Sequence, residues 1–367
     1  MNILEEIQNC PVEWKELGEV CSVNKGKQLN KNLLIDDGLY PAYNGGQTYS
    51  GRTNDYNVEA NTIIVSQGGA SAGFVNFVET KFWANAHCYY ILPDETQVKN
   101  RFVYHFLKMN QKYLMDFQHG AGIPALKSDK LTKLLIPVPP IKIQEKIVQI
   151  LDKFTEYVKE LTSELTSRKK QYSYYRDKLL SFEDEVYQVE WKKLGEVAEN
   201  LDSKRKPVAK GGRSSGVYPY YGASGIVDYV DDFIFDGDFL LVSEDGANLV
   251  VRKTPIAFSI SGKTWVNNHA HILKFDNMIN QKFVNYYLNN IDLSPYISGA
   301  AQPKLNQQNL NNIKIPYPSL EIQSRIVEVL DKFDTVCNDL NIGLPKEIEL
   351  RQKQYEYWRD QLFDFSK

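Results

Sequence analysis

The chain has 367 residues, a formal net charge of −3 and a pI near 6.0. That length suits about two to three domains with cores of their own, and the charge excludes a uniformly basic nucleic-acid coat while leaving local basic surfaces open. No apolar run approaches the roughly 20 residues of a membrane-spanning helix, and Cys10, Cys21, Cys88 and Cys337 lie far apart without a CxxC pair. With no secretory h-region at the N-terminus, the expectation is a reduced intracellular protein without a structural zinc site.

After a short leader, EWKELGEV at Glu13 to Val20 returns as EWKKLGEV at Glu190 to Val197, so the chain uses one unit twice. Trp14 and Trp191 are expected to be packing anchors at the two module entrances. Each module continues with short runs rich in β-branched and aromatic residues, such as TIIVS at Thr62 to Ser66 and FLLVS at Phe239 to Ser243, divided by Gly, Asn and Asp clusters. That pattern predicts a mostly β body. The loops diverge: YPAYNGGQTYSG at Tyr40 to Gly51 stands against YPYYGASG at Tyr218 to Gly225. Further on, WANAHCYYILP from Trp83 answers WVNNHAHILKF from Trp265, and apolar spacing of three and four predicts short helices over Phe102 to Leu114 and Phe283 to Leu288. GAGIPALKSDKLTKLLIP from Gly120 and GAAQPKLNQQNLNNIKIP from Gly299 follow, each ending in a proline edge.

From Ile136 to Phe154 against Ile315 to Phe333, a shift of 179, 11 of 19 positions are identical, including Gln144, Ile147, Leu151, Asp152 and Phe154. The apolar residues Ile147, Leu151, Phe154, Val158, Leu161 and Leu165, then Arg168, then Tyr172, Tyr175 and Leu179 alternate in steps of four and three, a heptad seam on one long helix. Over roughly 38 residues such a helix is about 57 Å long. The second copy keeps the seam at Ile326, Leu330, Phe333, Cys337, Leu340 and Leu344, and resumes at Ile348, Arg351, Tyr355, Trp358 and Leu362. Four extra residues there predict a stutter, and Pro345 predicts a break or bend. The class expected is α+β: two mostly-β modules, each followed by a long helix, the helices forming an antiparallel coiled coil with pseudo-two-fold symmetry.

No GxGxxG after a strand, GxxxxGK[ST], HExxH or GxSxG occurs, and IPVPP and IPYPS lack the acid or amide that an amino-methyltransferase motif requires before its prolines. His87 beside Cys88, and His269 with His271, match no zinc spacing and read as structural histidines. Basic loops are more informative. Lys25, Lys27, Gln28 and Lys31 cluster in the first module, and Lys204, Arg205, Lys206, Lys210 and Arg213 in the second. Such loops neutralise phosphates, and nearby amides and tyrosines read base edges. The candidate DNA contacts are these residues with Tyr43, Asn44, Gln47 and Arg52 in the first module and Tyr221 and Ser224 in the second.

The combination of EWKxLGEV, IPxPxxxxQxxIVxxLDKF and R-[KQ]-K-Q-Y-x-Y-[YW]-R-D-x-L at Arg168 to Leu179 and Arg351 to Leu362 closely resembles the specificity subunit of type I restriction-modification systems, over essentially the whole chain. The resemblance implies two target-recognition domains, residues 1–143 and 188–322, alternating with helical spacers at 144–187 and 323–367. It implies a cytoplasmic, non-catalytic subunit whose domains each read one half of a bipartite, asymmetric double-stranded DNA target. The helices would hold the halves apart and dock two modification (methyltransferase) subunits. S-adenosylmethionine would sit on those partners, and ATP and magnesium on a restriction subunit, with no cofactor or metal on this chain. The alternative is a non-catalytic coiled-coil scaffold whose β modules bind proteins. One departure is the tandem ELTSELTS at Glu160 to Ser167, facing NIGLPKEI in the second copy. Four helical residues add about 6 Å and about 40°, close to the roughly 34 to 36° of one base pair, so the number of such units is expected to set the unread spacer.

Overall fold

The computed structural model describes residues 3–116, 125–182, 189–299 and 302–365. Parts of the segments expected from Gly120 and from Gly299, and the 187/188 boundary, lie outside them. The chain divides into two compact units, residues 1–163 with 346–367, and residues 164–345. These are drawn differently from the four sequence segments. Each unit gathers one module with one length of the long helix, because side chains of both enter a shared core.

In the first unit the strands are β1 (Glu13–Glu16), β2 (Cys21–Lys25), β3 (Tyr40–Tyr43), β4 (Gly51–Thr53), β5 (Thr62–Ser66), β6 (Val75–Val78), β7 (Trp83–Ala84), β8 (Cys88–Pro93) and β9 (Leu135–Val138). They form sheets ordered β2-β8-β5-β6 and β4-β3-β7 and the ladder β1-β9. The TIIVS run lies between β8 and β6 and is buried at every residue, which suits its β-branched composition.

The second unit holds β10 (Glu190–Lys193), β11 (Glu199–Asn200), β12 (Ser215–Gly222), β13 (Gly225–Val230), β14 (Phe235–Ser243), β15 (Ala257–Val266), β16 (Ala270–Lys274) and β17 (Lys314–Tyr317). Here the main sheet runs β11-β16-β14-β15-β12-β13, beside the ladder β10-β17. The topology repeats the first unit with one change: β6 and β7 are separate strands, whereas β15 serves both places in one run, pairing antiparallel with β14 and parallel with β12. The short helices expected in the modules are Asn100–Met109 with Gln111–Asp116, and Met278–Asn290.

The repeated proline-to-LDKF segment acquires a physical account. The buried Gln144 donates to Pro139 O at 2.8 Å and Gln97 O at 2.9 Å and accepts from Lys99 N at 2.8 Å, and Gln323 likewise donates to Pro318 O at 2.9 Å. Ile147 and Leu151, like Ile326 and Leu330, enter the module cores. Asp152 then receives Arg101 and His105 from the module helix, the His105 Nε2 at 2.8 Å, while Asp331 receives Lys282 Nζ and Tyr286 Oη, both at 2.6 Å. One carboxylate per unit therefore clamps the module helix to the helix that follows its module, Ile141–Ser181 in the first unit and Leu320–Asn338 in the second. The EWKxLGEV tryptophans are not the packing anchors expected: Trp14 is 52 % exposed and Trp191 49 %, because each stands on a ladder only two strands wide.

The long helix is continuous over Ile141–Ser181, about 60 Å at 1.5 Å per residue. Of its seam, Ile147 and Leu151 are buried, Phe154, Leu161, Leu165 and Tyr172 half-buried, and Tyr175 exposed along its edge. In the second unit Phe333 stacks on Tyr172 and Tyr175 at 6.0 and 5.7 Å, while Cys337 lies in the field of Lys169 and Arg168, so the helices run antiparallel there. In the first unit Tyr355 is buried and Trp358 packs against the core.

The second copy breaks as Pro345 predicts, but the stutter gives way to a loop. Helix Leu320–Asn338 stops, and Leu344–Leu362 starts anew with Pro345 at its second residue, where no backbone donor is required. Asp339 Oδ1 accepts from Asn341 N and Ile342 N, and a Cβ on Gly343 would stand 2.4 Å from Thr335 O. Leu340, expected on the seam, is 72 % exposed because the chain has left the helix there, and Leu344 is only half-buried.

His105 carries a pH dependence. Since the Asp152 carboxylate accepts, His105 Nε2–H donates to it, and Nδ1 accepts from the Tyr355 hydroxyl at 2.9 Å. Burial holds the imidazole below its ordinary value near 6.5 despite the Asp152 hydrogen bond. Burial alone would raise Asp152, yet His105 and Arg101 together hold it below 3.8. Below pH 6.5 the folded state binds fewer protons at His105 than the unfolded chain, so that stabilisation is fully present above 6.5 and declines as pH falls; the Asp152 part is lost only below 3.8. The melting temperature should therefore drop between pH 7 and 5 by calorimetry, and His105→Gln should flatten the drop. An equal slope in the variant would clear His105.

Candidate nucleic-acid interface

Each unit builds its basic loop on the same frame. In the first, the chain leaves β2 and presses against β7: Gly26 N donates to Cys88 O and Lys27 N to Ala84 O, both at 2.9 Å, and Trp83 Nε1 donates to Lys27 O at 2.8 Å. Only glycine fits at 26, since a Cβ would lie 2.2 Å from Asn85 O and 2.4 Å from Ala84 O. In the second unit Trp265 Nε1 donates to Lys206 O at 2.6 Å. The hairpins beside the loops are fixed alike. Asn85 N donates to Tyr43 O and Asn267 N to Tyr221 O, while Ser66 Oγ reaches Gly46 O and Ser243 Oγ reaches Ala223 O.

On this frame the lysines are left outward. Lys25, Lys27 and Lys31, and Lys204, Lys206 and Lys210, are exposed and carry no ion pair among the described residues. Gln28, Asn44, Gln47 and Ser224 are exposed as well, on the loop and hairpin turns. Tyr43 is half-buried against Tyr49 and Phe82, and burial raises its pKa so the phenol stays neutral; Tyr221 is half-buried against Phe258.

The three arginines among the candidates are committed elsewhere. Arg52 Nε and Nη2 donate to Gly38 O and Leu39 O at 2.5 and 2.9 Å. Arg213 donates to Val208 O and to Asp228 at 3.0 and 3.1 Å and lies 4.3 Å over the Tyr220 ring. Arg205 is 12 % exposed, with Nη1 at 2.7 Å from both Glu244 Oε2 and Ala270 O and Nη2 at 3.4 Å from Asp202. Sequence proximity to lysines suggests base readers at these positions; in the structure their guanidinium donors are engaged instead, those of Arg205 by the buried Asp202 and Glu244, those of Arg213 by the partly exposed Asp228, and those of Arg52 by backbone carbonyls.

Around Arg205 lies a buried polar cluster. His271 Nε2 donates to Leu305 O at 2.7 Å and Nδ1 faces Asp202 Oδ2 at 2.5 Å; Lys304 reaches Glu244 at 3.2 Å. Burial raises Asp202, but His271 and Arg205 outweigh it and hold the carboxyl below its ordinary range. Ligand atoms of Asp202, Glu244 and His271 lie within 4.8 Å of one another, yet both ring nitrogens of His271 have partners and two side-chain cations already balance the carboxylates. His269 is separate, exposed and 2.8 Å from Asp245. The first unit fills the equivalent place with a neutral pair: Tyr89 Oη donates to Leu126 O at 3.2 Å beside Gln67.

Trp83, Trp265, Asn85 and Asn267 are not among the residues that sequence reasoning singles out. Their signal is the WANAH and WVNNH repeat, in which Trp and Asn persist while neighbours change. Replacing Arg205 by alanine should leave Asp202 to His271 and Glu244 to Lys304 and destabilise the second unit by roughly 1.5–3 kcal/mol, read as an earlier transition in urea; an unchanged midpoint would return Arg205 to the surface.

Comparisons with known proteins cover the whole of this arrangement. Residues 11–168 and 188–350 match the family described as type I restriction modification DNA specificity domain. The chain is 32 % identical over 405 residues to the specificity subunit of the type I restriction enzyme EcoR124I/EcoR124II from Escherichia coli, covering 100 % of this chain and 98 % of that one. It is 36 % identical over 243 residues to the EcoprrI specificity subunit, also from Escherichia coli, covering 60 % of this chain and 57 % of the relative. In fold it is similar to the crystal structure of the type I restriction-modification S subunit from M. genitalium, with a TM-score of 0.69, 24 % identity and 98 % of each chain covered. With two family domains filling most of its length and a full-length relative above 30 % identity, the chain belongs to the type I restriction-modification DNA specificity family.

Proposed function

We propose that the chain is the non-catalytic DNA-recognition subunit of a cytoplasmic type I restriction-modification complex, each unit reading one half of a bipartite target. The observation that carries this is the pair of tryptophan-pinned lysine loops, Lys27 under Trp83 and Lys206 under Trp265, set on one frame with different side chains around them. A shared frame suits a shared task on duplex DNA, and different turns, Asn44 to Gln47 against Ala223 and Ser224, suit different half-sites and hence an asymmetric sequence. The exposed lysines supply the sequence-independent attraction to phosphate.

In this reading the helical segments set the number of unread base pairs and dock two modification subunits, and restriction subunits join through that assembly. Chemistry is left to the partners: adenine methylation with S-adenosylmethionine on the modification subunits, and ATP with magnesium on the restriction subunits.

Mapping methylated adenines in cells with and without the chain tests the whole proposal; identical maps would end it. Within the assembled complex, Lys204→Ala, Lys206→Ala and Lys210→Ala together should reduce the slope of log K against log salt by about 0.9 for each phosphate no longer neutralised, with the preferred sequence retained. A third ELTS unit after Ser167 should lengthen the unread spacer in the methylated sites, and an unchanged spacer would separate helix length from target spacing.

A further inference from the structure

Two short turns on the lysine loops share a course and differ in what they carry. Lys31–Leu33 in the first unit and Lys210–Gly212 in the second are single 3-10 turns, each opening on an exposed lysine. The residues before them, Asn30 and Ala209, are extended, with φ of −72° and −61°. Leu33 N donates to Asn30 O at 3.0 Å and Leu34 N to Lys31 O at 3.1 Å, while Gly212 N donates to Ala209 O at 2.9 Å and Arg213 N to Lys210 O at 3.5 Å. In the first unit the turn carries Asn32 and Leu33, both exposed. In the second the same two places are Gly211 and Gly212.

Nothing inside the second unit requires those glycines. Neither has the positive φ that calls for glycine at Gly225 and Gly246, and a Cβ on Gly211 would meet nothing within 4 Å, one on Gly212 only Val208 Cγ1 at 3.6 Å. Asparagine and leucine build the same turn in the first unit. Looseness is not the reason either, because the segment is tied down around the turn. The Tyr220 hydroxyl lies 3.0 Å from Val208 N and 3.3 Å from Val208 O, and Arg213 donates to Val208 O and Asp228. Glycine where alanine would fit leaves the unfolded chain more freedom and so costs stability. What the missing side chains offer is main chain open to close approach. Lys204, Lys206 and Lys210 on the same loop carry no ion pair among the described residues, which suits an anionic partner. A turn without side chains cannot read base edges, but a phosphate accepts from backbone N–H groups.

We propose that Gly211 and Gly212 are the point where the second unit lies against a phosphodiester backbone, main chain to phosphate, with Lys210 beside them as counter-charge. The inference rests on the proposed function and goes past it: the lysines attract any duplex, whereas the bare turn sets how closely this unit approaches one. In the first unit Asn32 and Leu33 keep the corresponding turn at side-chain distance.

The test uses the full chain assembled with its modification subunits and two duplexes, one bearing the target mapped by methylation and one lacking it. Gly211→Ala with Gly212→Ala should bind both duplexes about tenfold or more weakly, the worth of a hydrogen bond to a charged acceptor. Gly211→Asn with Gly212→Leu, which copies the first unit's turn, should weaken binding at least as far. Both variants should melt at or above the wild-type temperature, since the turn has room for side chains and the unfolded chain loses freedom, and both should keep the mapped target. Wild-type affinity in the double alanine variant would overturn the inference, as would lost affinity seen only in step with a lowered melting temperature. A changed second half-site with binding to the non-target duplex intact would also overturn it, making the turn a base reader. Loss of modification subunits from the variant complex would overturn it too, giving the surface to a protein. A wild-type complex that binds neither duplex defeats the proposed function itself, which separates the two failures.

Discussion

One carboxylate in each unit fixes the position of everything around it. Asp152 on the long helix and Asp331 on helix Leu320–Asn338 meet the module helices and accept from two side chains apiece. Bonds to a charged acceptor are stronger than neutral ones, about 1.5–3 kcal/mol each, and they are directional where the surrounding apolar contacts are not. The partners differ, Arg101 and His105 in one unit, Lys282 and Tyr286 in the other, but each supplies a cationic donor and a ring-borne donor. The acid is kept and the donors vary, so the geometry of the joint is held by the group on the helix that follows each module.

The frame of the lysine loops follows the same economy of fixed and variable parts. Backbone carbonyls of Lys27 and Lys206 are tied down by indoles while their side chains stay in solvent. This places a cation on a loop of fixed course and leaves its ammonium mobile, which suits phosphate better than base edges. Arginines do the opposite work. Arg52, Arg205 and Arg213 each present several donors in a planar fork, and all three use it to brace backbone carbonyls or acids. The second unit goes further, with an ion-paired cluster of Asp202, Arg205, Glu244 and Lys304 where the first has Gln67 and Tyr89.

Much of this is legible in the residues. The heptad spacing locates the long helix, the proline locates the break, and the β-branched runs locate β5 and β14. What escapes is the direction of individual side chains. Trp14 and Arg205 sit in segments whose roles are clear from repetition and charge, yet whether a tryptophan on a four-residue strand faces inward depends on what covers the ladder, and whether an arginine is free depends on acids 3 and 39 positions away in sequence. The two basic loops are recognisable by their lysines. Their supports, Trp83 and Trp265, lie nearly 60 residues distant, and only folding brings indole and carbonyl together.

The continuity of β15 has a mechanical consequence. At one end Asn289 of the module helix holds both Ala257 N and Ala257 O, and at the other Trp265 holds the lysine loop. A single ten-residue strand thus joins the helix side of the second unit to its lysine loop, a span of about 33 Å, whereas the first unit interrupts the same route between β6 and β7. Strain entering the second unit at its module helix travels along one covalent strut paired to β14 for most of its length, and local opening there must unzip that ladder. In the first unit the small sheet of β3, β4 and β7 is joined to the main sheet through the shared core of Ile64, Val78, Phe82 and Ala84 rather than through a continuous strand, so the two halves of one duplicated chain transmit load by different routes.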